Sequence, residues 1–288
     1  MIQSGYWSDA TTFSEQKNVH KKHLSVSILP ISRRPKFPEK TNSLRLVFLC
    51  LRFAAYTFCK TREVIMCGRF AQAQTREAYL NELAENIERD IPYDPEPLGR
   101  YNVAPGTKVL LLNERDGTLH LDPVHWGYAP GWWNKPPLIN ARVETAASSR
   151  MFKPLWQHGR AIVFADGWFE WKKEGDKKQP YFIYRKDNKP LFFAAIGSAP
   201  FERGDENEGF LIVTAAADEG LIDIHDRRPL VLTPDAALAW LSQETSGKDA
   251  EDIAKKGAIP AGEFTWHPVT RSVGNIKNQG AELIAPLA

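Results

Sequence analysis

The strongest chemical signal in the sequence is Cys67, which directly follows Met66. A cysteine at a chain start offers two nucleophiles on adjacent carbons, a thiol of pKa about 8.5 and an α-amine of about 7.7–8.0. The amine condenses with an aldehyde to a Schiff base, and the thiol then closes a five-membered thiazolidine. An internal cysteine cannot do this, because its nitrogen is an amide. Cys67 is small, so aminopeptidase would remove Met66 from a chain started there. The competing assignment for a lone cysteine is a small buried hydrophobe.

Two other segments carry groups able to move protons. In Asp166-Gly167-Trp168-Phe169-Glu170-Trp171 a carboxylate sits inside an aromatic run. Extended backbone puts Trp168 and Glu170 on one face and Phe169 and Trp171 on the other. Desolvation beside an indole raises a carboxyl pKa toward neutrality, whereas a strand-end glutamate with its head in water keeps an ordinary one. His225 lies in Asp223-Ile224-His225-Asp226-Arg227-Arg228-Pro229, a polar turn that suits a positioned acid or base and equally a solvated loop histidine. Gly127-Tyr128-Ala129-Pro130-Gly131-Trp132-Trp133 presents two adjacent indoles ahead of Asn140-Ala141-Arg142. Indoles stack on unpaired bases and arginines hold phosphates. Walker, dinucleotide-binding and zinc-protease motifs are absent, and the five histidines after residue 66 show no ligand spacing, so neither cofactor nor metal is expected.

These residues need a scaffold, and the composition locates it. Residues 1–65 hold 11 Lys and Arg against 4 Asp and Glu, whereas residues 66–288 hold 26 against 31 and eight of the nine Trp. The acidic, Trp-rich part is long enough to bury a full core. Its acidity argues against broad electrostatic coating of duplex DNA and leaves room only for a local basic groove. Within residues 1–65, Leu44 to Cys59 is apolar but is broken by Arg45 and Arg52, too short and too charged for a membrane span. The expectation is that 1–65 is a spurious or removed extension and 66–288 the working domain. Cys67 is the one cysteine of that domain, which fits a reducing compartment and excludes a disulfide framework.

Thr75 caps an expected helix with the apolar stripe Tyr79, Leu80, Leu83, Ala84 and Ile87, and Thr233-Pro234 opens a second containing Ala237, Leu238 and Leu241. Strands are expected over 108–113, 119–126, 161–171, 181–185, 191–196 and 210–215. The connections 173–179 and 186–190 have hairpin length. The pattern predicts an α+β, β-rich fold, a curved and mostly antiparallel sheet or open barrel with a few flanking helices. Without regular βα alternation a doubly wound parallel sheet is rejected.

Met66-Cys67-Gly68-Arg69-Phe70, Asn140-Ala141-Arg142, Asp166 to Trp171 and His225-Asp226-Arg227-Arg228-Pro229, in that order, resemble the SRAP family of abasic-site processing proteins. The resemblance spans essentially all of residues 66–288 and is closest to bacterial members. It implies a β-rich fold around a single-strand groove and a thiazolidine crosslink between Cys67 and the ring-opened abasic aldehyde. It implies that Asn140 senses the abasic sugar and that Glu170 and His225 handle protons. Arg69, Arg142, Arg150 and Arg227 would hold phosphates, with Trp132 and Trp133 stacking or wedging. Abasic-site lyase chemistry and autoproteolytic exposure of the cysteine belong to the same picture, as does an SOS-response setting. So do single-stranded DNA with abasic sites as the partner, replication-fork proteins as further ones, a monomeric state, no membrane, and a cytoplasmic location with nucleoid association at lesions. This sequence departs from the family in that Cys67 is internal as written, so residues 1–66 must be absent or removed for the chemistry. Two other readings compete, an N-terminal-nucleophile thiol amidohydrolase using Cys67 and a non-catalytic single-strand-binding module. The Trp132-Trp133 pair and the arginines set the crosslinking reading apart from the first, and a covalent adduct sets it apart from both.

Overall fold

The computed structural model describes residues 67–84, 89–198, 209–218 and 220–287, so the expectation for 1–65 lies outside the described residues. In chain order the elements are β1 (Phe70–Gln72), α1 (Arg76–Leu83), β2 (Arg100–Val103), β3 (Lys108–Arg115), β4 (Thr118–His125), β5 (Asn140–Arg142), α2 (Val143–Ala146), α3 (Lys153–His158) and β6 (Arg160–Ala165). There follow β7 (Gly167–Glu174), β8 (Lys177–Arg185), β9 (Leu191–Ser198), β10 (Gly209–Ala216), β11 (Arg227–Pro229), β12 (Val231–Leu232), α4 (Pro234–Leu241), α5 (Gly247–Lys256) and β13 (Phe264–Pro268).

Two sheets form. The smaller runs β13-β8-β7-β1-β2; the larger runs β11-β10-β9-β6-β3-β4, with β12 added to β9 and β5 to β10. Every ladder is antiparallel except β5–β10. The sheets stay open rather than closing into a barrel.

The near-continuous apolar runs of β6 and β9 follow from burial on both faces of the larger sheet. Ala161, Val163 and Ala165, with Leu191, Phe193 and Ala195, turn toward the smaller sheet, where they meet Phe70, Trp168 and Ile183. Ile162, Phe164, Phe192 and Ala194 turn the other way, onto Tyr79 and Leu80 of α1, Trp156 of α3 and Trp240 of α4. A third cluster, Phe169, Phe182, Val269 and Val273, covers the outer face of the smaller sheet with the C-terminal segment.

Both expected helices form at their expected caps. The Thr75 side chain accepts from the Ala78 N–H, and the Thr233 side chain from the Ala236 N–H, with Pro234 in the first turn. The first helix ends at Leu83, with Ala84 extended, and Ile87 lies outside the described residues. Two expectations need correction. The run 161–171 is two strands in different sheets, broken at Asp166, whose carboxylate accepts from the Ala73 N–H, the Gln74 amide and the Tyr79 hydroxyl. At Gly167 an added Cβ would lie 2.5 Å from the Ile183 carbonyl oxygen, so the chain can cross there only as glycine. The connection 186–190 joins β8 to β9 and therefore passes between sheets instead of closing a hairpin. The connection 173–179 does close one, pairing down to Glu174↔Lys177 around Gly175-Asp176. Among the described residues no helix is long and apolar enough to cross a membrane, and no His, Cys, Asp or Glu cluster could hold a metal ion.

Candidate active site at Cys67

Breaking the chain at Asp166 redirects the aromatic run into the smaller sheet, beside β1. There Phe70 pairs with Trp168, and the Phe169 N–H donates to the Arg69 carbonyl. Two residues upstream, the Cys67 N–H donates to the Glu170 Oε1 at 3.0 Å. Cys67 and Glu170 are 1% and 3% exposed, deep between the sheets. Glu170 is therefore not a strand-end residue with its head in water. As the alternation requires, Trp168 lies in the inter-sheet cluster with Cys67, while Phe169 and Trp171 lie on the outer face.

Burial sets the proton affinities. Desolvation, aided by the nearby negative charge of Asp226 and opposed by the Cys67 N–H, pushes the Glu170 carboxyl up to about 8. Desolvation and the Glu170 charge push the Cys67 thiol well above its ordinary value, so it is a thiol at neutral pH. Cys67 holds a φ of 43°. Such left-handed backbone is uncommon for a residue with a side chain and concentrates at functional sites.

His225 follows the short helical turn Leu221–Asp223, and its neighbour Ile224 packs in the same cluster as Cys67. Its Nδ1 accepts from the Arg227 N–H at 3.1 Å and lies 3.0 Å from the Asp226 carboxylate. In the neutral ring this leaves the proton on Nε2, whereas the imidazolium turns an Nδ1 proton to Asp226. Desolvation lowers the His225 pKa, against Asp226 and the Arg227 contact; Lys178 adds to the lowering.

Asn140 and Arg142 lie on β5, paired in parallel with Ile212 and Thr214 of β10, and Arg227 pairs with Ala216 near the end of that strand. β10 thus draws the expected Asn-Ala-Arg and His-Asp-Arg motifs together. Arg142 is exposed, and so is Arg150 in the turn before α3. Arg227 grips Glu144 through both Nη atoms, at 2.6 and 2.8 Å, and also donates to the Thr214 carbonyl. That bond holds the Glu144 carboxyl below its ordinary value. Arg69 donates from Nη1 to the Asn102 Oδ1 at 2.7 Å and the Val273 carbonyl at 2.8 Å, and its guanidinium lies 5.8 Å from the centroid of Trp171. Trp132 is 70% exposed and meets Trp133 edge to face at 6.0 Å. Trp133 is half-buried, tied by its Nε1–H to the Pro136 carbonyl.

The sequence reading assigned no role to Glu144, Thr214 or Asn102. Asn102 is buried, and its amide donates to the Val273, Asn275 and Asn278 carbonyls while its Oδ1 receives Arg69. These partners lie far apart in sequence, so no local pattern marks them.

Comparison with known proteins shows the family to which the chain belongs. The chain is 80% identical over 222 residues to the abasic site processing protein YedK of Escherichia coli (strain K12), covering 77% of this chain and 100% of that protein. It is 31% identical over 255 residues to the abasic site processing protein YMR114C of Saccharomyces cerevisiae, covering 77% of this chain and 68% of that one. The crystal structure of a phage-related protein from Bordetella bronchiseptica matches with a TM-score of 0.62 at 36% identity, over 71% of this chain and 95% of that one. Residues 66–276 match the family described as SOS response associated peptidase (SRAP), and the chain belongs to that family.

Proposed function

We propose that this protein captures abasic sites in single-stranded DNA as a thiazolidine through Cys67, once the residues before it are absent. The observation that carries this is the 3.0 Å contact between the Cys67 nitrogen and the Glu170 carboxyl. A free α-amine at that position has a proton acceptor within hydrogen-bond reach.

Opening of the abasic sugar removes a proton from the C1′ hydroxyl and adds one to the ring oxygen, and His225, half-buried beside the site, supplies this transfer. The neutral Cys67 amine adds to the aldehyde; the carbinolamine hydroxyl leaves as water with a proton from Glu170, and the nitrogen returns its own proton to Glu170 as the imine forms. The thiol then adds to the imine carbon and its proton passes by way of Glu170 to the nitrogen. The raised thiol pKa makes the amine the first nucleophile. Intercepted before thiol closure, the same Schiff base permits proton loss next to it and strand cleavage, the lyase reaction. Autoproteolytic release of Cys67 fits the left-handed peptide beside a thiol and a carboxyl.

Asn140 would meet the abasic sugar. Trp132, with Trp133 held behind it, would stack on the strand, and the exposed Arg142 and Arg150 would contact phosphates. Arg227, whose Nε has no hydrogen-bond partner among the described residues, and Arg69 would frame the groove from their internal bonds. Replication-fork proteins are the natural further partners of such an activity, and the nucleoid its place.

The test is incubation of the protein with an abasic single strand, followed by denaturing electrophoresis. A shifted band that survives heat supports the proposal. Amide hydrolysis without a shifted band, or reversible binding alone, would replace it with one of the two competing readings.

A further inference from the structure

Glu144 ties together two motif segments that the sheet ladders leave on opposite edges of β10. Thr214 pairs with Arg142 of β5 and also with Pro229 of β11, so these strands flank β10 on either side. With neighbouring strands about 4.7–4.9 Å apart, the two flanking backbones run about 10 Å apart. Glu144, just past Arg142, and Arg227, opposite Ala216, close that distance by a bidentate contact across the end of β10. The contact lies on the Cys67 side of the larger sheet. Ile212 belongs to the Cys67 cluster and Val213 to the opposite one, so alternation turns Thr214 toward Cys67. The Arg227 Nη2 reaches the Thr214 Oγ1 at 3.4 Å and the Thr214 carbonyl at 2.7 Å. An exposed carboxylate gains little from an ordinary surface ion pair, but this one is bidentate and ends on a half-buried arginine. A planar guanidinium bound at a carboxylate fork and a backbone carbonyl fixes the residue that carries it.

That residue is the one on which His225 rests. The β10–β11 ladder ends at Arg227, and past it the Ala217 N–H donates to the Asp226 carbonyl, which leaves His225 just outside. The His225 Nδ1 faces two groups with opposite requirements. The Arg227 N–H at 3.1 Å needs a bare nitrogen, and the Asp226 carboxylate at 3.0 Å needs a protonated one. The hydrogen bond made at one ring nitrogen decides which nitrogen of the neutral ring carries the proton. Asp226 is exposed and met by water, so the N–H prevails as long as Arg227 is held in place.

We infer that Glu144 is a positioning residue for His225: by fixing Arg227 it keeps Nδ1 an acceptor and leaves the transferable proton on Nε2. The inference rests on the proton-transfer role proposed for His225 above. Opening of the sugar needs a proton delivered to the ring oxygen, and Nε2–H is then the donor. The other tautomer offers only a lone pair at that nitrogen.

The test compares the wild type with Glu144→Gln, which keeps the size of the side chain and removes the charge that grips Arg227. In the full chain, the ring-nitrogen resonances of His225 above its pKa, assigned by their loss in His225→Ala, report the tautomer without any DNA. The wild type should be protonated on Nε2, and Glu144→Gln should move toward the Nδ1-protonated or an averaged form. In the processed protein with an abasic strand at saturation, the variant should crosslink about tenfold more slowly, part of the about 10²–10⁴-fold that a positioned acid or base is worth. Its affinity for an undamaged single strand should be equal or higher, since a negative charge has gone from beside Arg142. Glu174→Gln, which removes an exposed carboxylate at the tip of the β7–β8 hairpin, is the control and should change neither readout. A wild-type ring protonated on Nδ1, or wild-type nitrogen shifts in Glu144→Gln, overturns the inference. So does the same shift in Glu174→Gln, or a rate loss in Glu144→Gln that vanishes at saturation, because Glu144 would then act in binding. If the tautomer responds as expected but the wild type forms no crosslink, it is the proposed function that fails.

Discussion

Replacing Glu170 by Gln separates what the carboxyl does for the fold from what it does for the reaction. Its pKa of about 8, against 4.5 for an ordinary glutamic acid, means the folded state holds the proton more tightly than the unfolded chain. The stability this gives is fully present below pH 4.5 and is lost as the pH rises toward 8, because ionisation is penalised only in the folded state. At pH 7 the loss already amounts to about 3 kcal/mol, at about 1.4 kcal/mol per pH unit above 4.5. Gln cannot ionise and its carbonyl can still accept from the Cys67 N–H, so it escapes the loss. Glu170→Gln should therefore melt higher than the wild type at pH 7, by several degrees and at most about 6–12 °C for a domain of this size. Near pH 4.5 the two should melt together. Crosslink formation should slow by about 10²–10⁴-fold, the usual worth of a positioned acid or base.

Thermal unfolding followed at several pH values, beside single-turnover crosslinking on the same preparations, reads both effects. A Gln variant less stable than the wild type at pH 7 would mean the carboxylate is stabilised where it sits. Desolvation would then not be what sets the proton affinity of Glu170. A more stable variant that crosslinks at the wild-type rate would leave the burial argument standing and remove Glu170 from the chemistry.

Cys67→Ala should abolish the heat-stable crosslink and leave reversible single-strand binding intact, and Cys67→Ser should give at most a borohydride-trappable Schiff base; denaturing gels decide both. His225→Ala should slow crosslinking by about 10²–10⁴-fold, and equal rates across pH 5–8 would confine His225 to a structural role. Trp132→Ala with Trp133→Ala should weaken single-strand binding by about 1–3 kcal/mol per stack lost, measured by titration, with no change for a strand that cannot reach the loop. A chain beginning at Cys67 should crosslink rapidly, while one forced to retain residues 1–66 should bind strands and form no thiazolidine; equal rates, read by intact mass, would exclude the amine as nucleophile.

The parts of the fold legible in the sequence are those set by neighbours. The caps at Thr75 and Thr233 act within three residues and were readable. The helix Gly247–Lys256 was not assigned, although Ser246 caps it by accepting from the Asp249 N–H in the same way. What stayed hidden depends on distant partners. An unbroken apolar run reads as one strand, and the turn at Asp166 exists because donors from 73, 74 and 79 converge on its carboxylate. Connection length cannot say which sheet comes next, so 186–190 looked like a hairpin. In the candidate site, the types and order of Cys67, Asn140, Glu170 and His225 were visible, as was the alternation that buries Glu170 beside Trp168. That Arg227 is gripped by Glu144 and Arg69 by Asn102 was not, since each bond spans many residues.

In the proposed reaction, the burial of Glu170 would also let one carboxyl serve both directions. Beside the Cys67 N–H, burial pushes the carboxyl up to about 8, into the range of an ordinary free α-amine, about 7.7–8.0, so in the proposed reaction a proton would pass between two such groups at little cost. A cationic amine 3.0 Å away favours the carboxylate, and a neutral amine favours the acid. The two therefore titrate as a unit that holds one proton near neutrality. Condensation requires an unprotonated amine and, one step later, an acid to expel water. A pair sharing a single proton supplies each in turn, and the reverse steps use the same proton. A solvated glutamate of pKa near 4.5 could not, because it would remain ionised beside a protonated amine. On the proposed reading, depth between the two sheets is what would make a free amine at Cys67 a nucleophile at neutral pH, and the turn at Asp166 is what carries Glu170 to that depth.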